Sequence, residues 1–112
     1  MDDYIHFIMK GDKVIHRWWK DIAEITKKLG FKKILVEVFV FIEPSFQEIR
    51  EMATDLENIG FKAIKLAYLD NNPDLKSVNE LALAIVKIWG IEAEVFNDKE
   101  QAIAWLKQTT KP

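Results

Sequence analysis

Apolar residues recur along the chain in two alternating periods. Over residues 4–10 they alternate, with Ile5, Phe7 and Met9 on one face and Tyr4, His6 and Ile8 on the other, which predicts a strand. Gly11-Asp12 fits a two-residue hairpin turn into a short return strand at 13–15. From about His16 the period becomes helical. Trp18, Ile22, Ile25 and Leu29 make a stripe, with Trp19 and Thr26 beside it, and Gly30 closes it. Residues 34–41 are apolar on both faces apart from Glu37, as a central strand covered above and below requires.

The second helix opens on Ser45 and Glu48, spaced as a capping box, and carries Ile49, Met52, Ala53, Leu56 and Ile59 inward before Gly60. A strand over 62–69 follows, with Ile64, Leu66 and Tyr68 opposing Ala63, Lys65 and Ala67. Pro73 suits a helix approach, and Ser77 with Glu80 offers a second capping box ahead of a face made by Val78, Leu81, Ala82, Ile85 and Trp89. A last strand at 93–96 leads to a helix capped by Asn97 with Glu100 and carrying Ala102, Ile103 and Leu106. Gly30, Gly60 and Gly90 each stand between two apolar residues. This is the pattern of a left-handed helix ending whose following apolar residue folds back on the last turn, Phe31 toward Ile25, Phe61 toward Leu56 and Ile91 toward Val86. The 30-residue spacing is the length of one strand-helix unit, so it reflects α/β geometry and not a solenoid. The expectation is one domain over 1–112, a mixed, mostly parallel sheet of about five strands with about four helices, in the order ββαβαβαβα.

Composition narrows the function classes. A chain of 112 residues that is 49% hydrophobic can bury a real core in one domain. Its 16 basic and 18 acidic residues are scattered, so no field draws it to nucleic acid or an anionic membrane. With no cysteine there is neither a disulfide framework nor a thiolate metal site. The longest apolar stretch is far shorter than the ~20 residues of a membrane span. The first residues lack the basic and apolar regions of a signal peptide, and a cytoplasmic protein is expected.

No chemistry-bearing motif emerges. His6 and His16 are the only histidines and have no carboxylates at ligand spacing, so neither a metal nor a cofactor is expected. Glu37 and Lys65, on neighbouring strands, are read as an ion pair. A nucleophile elbow and a phosphate-binding glycine loop are both missing from the sequence, which argues against an enzyme.

The arrangement of elements resembles STAS domains, the family named for sulfate transporters and anti-sigma factor antagonists, and is closest to their SpoIIAA-like bacterial branch. The likeness runs from about Tyr4 to Leu106. It is carried by Ile91-Glu92-Ala93-Glu94-Val95-Phe96-Asn97-Asp98, by Glu100-Gln101-Ala102-Ile103-Ala104-Trp105-Leu106, and by the strand Lys33-Ile34-Leu35-Val36-Glu37-Val38. The resemblance implies a non-enzymatic regulatory module that binds a protein partner and is switched by phosphorylation at the strand-to-helix corner. At that corner, where antagonists carry an Asp-Ser-Ser/Thr-Gly-like motif, this chain has Glu43-Pro44-Ser45-Phe46. Only Ser45 can carry a phosphate there, as a candidate phospho-regulatory residue, and its role as a helix cap already explains it.

The corner is instead apolar. Phe39, Phe41, Ile42 and Phe46 with Glu43 are read as core, as a surface for a regulatory protein or a second copy in a homodimer, or as walls of a pocket. Trp18 and Trp19, which point about 100° apart on their helix, join the pocket reading. That reading is an apolar, lipid-like small molecule held in the manner of CRAL-TRIO domains, to which some STAS relatives look similar.

Overall fold

The alternating periods fold as four βα units. The computed structural model describes residues 4–12, 16–58 and 60–108. The strands are β1 (Ile5–Lys10), β2 (Lys33–Phe39), β3 (Lys65–Asp70) and β4 (Glu92–Phe96). The helices are α1 (His16–Leu29), α2 (Phe46–Asn58), α3 (Lys76–Ile88) and α4 (Lys99–Lys107). The strands form one parallel sheet in the order β1-β2-β3-β4, with Ile5 opposite Ile34, Ile34 opposite Leu66 and Leu66 opposite Ala93. The radius of gyration is 13.0 Å, which matches the value of about 13 Å expected of one compact domain of this length.

Of the expected mixed five-stranded sheet, four strands fall among the described residues, and all four are parallel. The return strand expected at 13–15 lies outside the described residues. Gly11 N–H donates to Phe39 O at 3.2 Å, and Phe41 and Ile42 N–H donate to Asp12 O at 3.0 and 2.8 Å. Gly11 and Asp12, at the end of β1, are thus bonded to the backbone at the end of β2.

Because the strand order never reverses, α1, α2 and α3 cover one face, leaving α4 alone on the other. Trp19, Ile22, Ile49, Ala53, Leu56, Val78 and Val86 bury the first face against Met9, Ile34, Val36, Val38 and Leu66. Ala102 and Leu106 of α4 cover Leu35, Ala67 and Leu69 on the second. Residues 34–36, buried on both sides, explain the unbroken apolar run.

Gly30 (φ 77°) and Gly90 (φ 85°) close α1 and α3 as their spacing predicts. Phe31 N–H donates to Thr26 O and Gly30 N–H to Lys27 O; Ile91 N–H donates to Val86 O and Gly90 N–H to Lys87 O. After Gly60 the chain takes a one-turn 3-10 segment (Phe61–Ala63), so β3 starts three residues later than the sequence suggests. Two other helix starts shift. Asn72, not Ser77, caps the approach to α3, its side chain accepting from Asp74 N–H at 3.0 Å, and Asp98, not Asn97, caps α4. Helix faces shift as well. On α1 the buried side is Trp19, Ile22, Ala23 and Thr26, with Ile25 and Leu29 exposed, and on α3 Trp89 and Leu81 lie outside.

Candidate functional site

The corner between β2 and α2 is built by two opposed demands. The chain must leave a fully buried strand and re-enter a helix that packs back on the same face, and Pro44 with Ser45 makes that turn. Glu48 N–H donates to Ser45 Oγ at 3.1 Å, and Ser45 N–H donates to Glu48 Oε1 at 2.9 Å, the reciprocal bonds of a capping box. Ser45→Ala is expected to lower unfolding free energy by about 1 kcal/mol, while Ser45→Asp, which still caps, stays near the parent; urea denaturation of the three proteins checks both.

The corner's apolar residues point outward. Phe41 is 78% exposed, and Phe39, Ile42 and Phe46 are also exposed. Each flanking ring carries a cation: Lys10 Nζ sits 5.6 Å from the Phe39 centroid and the Arg50 guanidinium 5.9 Å from that of Phe46. Glu43 is exposed beside them. Trp18 is half-buried, against Gly11, in a groove between α1 and β1. Trp19 is a core residue, edge-on to Phe61 at 5.7 Å and stacked on Tyr68 at 6.0 Å. The residues grouped from sequence therefore separate: three phenylalanines and Ile42 share the corner surface, and Trp19 belongs to the interior.

A cavity of about 90 Å³ lies between α2, α3 and the sheet, walled by Trp19, Met52, Leu56, Tyr68, Ala82 and Val86, with Ile42 and Pro44 at its rim. Sites for drug-sized ligands run to about 300–1,000 Å³, so this space holds a few water-sized groups and no lipid chain. Tyr68 is mostly buried, and burial together with the nearby Asp70 carboxylate raises its phenol well above the usual value. The phenol therefore stays protonated in the fold and ionises near pH 10 only in the unfolded chain. Its contribution to stability is whole below pH 10 and falls by up to about 1.4 kcal/mol per unit above it. Tyr68→Phe is expected to flatten that alkaline loss; urea midpoints measured from pH 8 to 11 check it.

At the carboxyl end of β3, Asp70 is buried, each carboxylate oxygen accepting one bond, from Asn72 N–H at 2.9 Å and Asn79 Nδ2 at 2.8 Å. Ligand crevices of open α/β sheets form where strand order reverses, and β1-β2-β3-β4 has no such reversal. Glu37 and Lys65 do not pair: the register sets Lys65 opposite Lys33 and Glu37 opposite Leu69. Glu37 instead meets His6 Nε2 at 2.9 Å, and Lys65 Nζ donates to Trp105 O and Gln108 O at 2.8 and 2.9 Å. Among the described residues, no three His, Asp or Glu side chains gather at metal distance, and no helix is long and apolar enough to cross a membrane. No protein-family model matches the chain, and no curated protein or solved structure matches it.

Proposed function

We propose that this chain is a non-enzymatic protein-interaction module of STAS-like, SpoIIAA-like type. Its corner residues Phe39, Phe41, Ile42 and Phe46, with Glu43, dock into an apolar groove of a regulatory protein. The observation that carries this reading is the outward placement of four large apolar side chains within eight residues of one corner. Water-exposed rings are an unfavourable use of sequence unless another surface covers them. The kind of partner, a kinase-like anti-sigma factor, comes from the resemblance alone. The phospho-switch of antagonists is not carried over, since Ser45 acts as a helix cap and the second hydroxyl and the glycine of the motif are replaced. Binding is then constitutive. The apolar-carrier reading is the weaker one, because the interior space is several-fold too small for a lipid chain.

Site-specific photocrosslinking in cells tests the reading. A benzophenone side chain at position 41 is expected to capture one protein carrying the kinase-like fold, and capture is expected to fall at least about tenfold when Phe46→Ser is added. An equal crosslinking pattern from position 99, on the exposed start of α4, would reject the corner as the docking surface.

A further inference from the structure

Among the described residues strand β1 is an open edge of the sheet, and the faces beside it carry apolar side chains that these residues leave exposed. It pairs with β2 alone among the described residues. Its six residues contain no Pro, no Gly and no bulge, the usual devices that blunt an edge, and Lys10 is its one formally charged residue. The opposite edge is guarded: β4 is shorter, Glu94 is tied to Lys87 at 3.2 Å, and Phe96 lies under Trp105 at 5.7 Å. On the α4 side of the sheet, Ile8 is 55% exposed. On the α1 side, Ile25 and Leu29 are 44% and 58% exposed. These two belong to the stripe Trp18, Ile22, Ile25 and Leu29, which is the strongest helical periodicity of this segment and which the single chain buries only in part.

We infer that the chain forms a homodimer in which β1 pairs antiparallel with β1 of a second copy, extending the sheet across a two-fold axis at Phe7 and closing the α1 stripe against its counterpart. The backbone phase supports it. Gly11 N–H points to β2, so by alternation the N–H and C=O groups of His6, Ile8 and Lys10 point outward. About a two-fold at Phe7, His6 meets the other copy's Ile8 and Lys10 meets its Tyr4 as hydrogen-bonded pairs, while the two Phe7 residues form the closer non-bonded pair. In this register no charged residue opposes another, Lys10 facing Tyr4 and His6 facing Ile8. Strands lie about 4.8 Å apart, and a helix seated over β1 and β2 therefore comes within about 10 Å of its symmetry mate, the distance at which helices pack. The seam is bordered by Arg17 and Lys28 and by Asp21 and Glu24, which sum to no net charge. A second copy covers the edge and the stripe in one operation, where a lone foreign strand would leave Ile25 and Leu29 wet. This face meets the corner only at Lys10, which lies over the Phe39 ring, and uses none of the corner's four apolar side chains, so either assignment can fail alone.

Ile8→Pro removes an outward N–H and leaves the β1–β2 ladder untouched, as an edge strand tolerates. Sedimentation equilibrium of the parent protein is expected to give twice 13.1 kDa. Ile8→Pro is expected to weaken dimerisation by about 100-fold, two N–H donors being lost by symmetry, and Ile25→Lys does so independently should the proline variant fail to fold. Amide exchange adds a signature: the amides of His6, Ile8 and Lys10 gain protection with protein concentration, while those of Phe7 and Met9 are protected throughout. Phe41→Ser is expected to leave the dimer intact. A parent that stays monomeric at millimolar concentration, a dimer indifferent to both edge variants, or a dimer lost in Phe41→Ser would each overturn the inference.

Discussion

Phe61→Ala is expected to lower the unfolding free energy by about 4 kcal/mol and the melting temperature by about 15 °C. The ring is fully buried, directly after Gly60, in the single turn that links α2 to β3. It meets Trp19 of α1 edge-on at 5.7 Å, and Trp19 in turn stacks on Tyr68 of β3 at 6.0 Å. One side chain thus ties the end of α2 to α1 and to a central strand, and its removal opens a void that rigid strands on one side cannot close. Of a total stability of about 5–15 kcal/mol for such a domain, this is a large share. Urea denaturation with an unchanged slope and a lower midpoint is the expected record. A loss below about 1 kcal/mol would mean that the ring is not part of the core.

The second large effect is at Lys65, whose ammonium is buried on the α4 face. It donates to the carbonyls of Trp105 and Gln108 and lies 4.5 Å from the Trp105 ring centroid. These carbonyls sit at the end of α4, where helical oxygens lack partners and the helix dipole is negative. The cation therefore closes the helix from beneath. Lys65→Ala is expected to cost about 3 kcal/mol, combining lost charge-assisted hydrogen bonds and a lost cation–π contact, less the desolvation relieved; Trp105 O keeps its bond from Gln108 N–H at 3.2 Å. Lys65→Met keeps most of the apolar stem and is expected to recover roughly 1 kcal/mol of that. Thermal melts of both variants, with amide exchange over 99–108, check the magnitude and its location; a loss spread evenly over the sheet would contradict the assignment.

The elements were legible where local chemistry dictates local structure. Period alone places α1, α2, α3 and the core strands, and Ser45 with Glu48 marks the start of α2, because a capping bond spans only three residues. The glycine endings were legible for the same reason. Helix faces were less so. The α1 stripe counted from Trp18 is a real periodicity, yet the fold turns Trp19 and Thr26 inward because the sheet and α2 meet the helix on that side. The partners of Lys65 and Glu37 depend on strand register and on where α4 docks, both set by contacts between residues some 30–40 positions apart. Asn72 took the capping role from Ser77 because Pro73 already starts a turn there, an arrangement in which two competing signals stand side by side in the sequence. The corner was visible as an apolar run, but whether it faces in or out is decided only when α2 packs.

The double variant Phe41→Ser/Phe46→Ser tests most directly whether the corner serves binding. Its unfolding free energy in urea is expected to stay within about 0.5 kcal/mol of the parent, since exposed side chains away from caps and core contribute little, while co-purification of the partner with the tagged protein is lost. A fall of about 2 kcal/mol or more would show that the two rings hold the fold together and would contradict the docking-surface account.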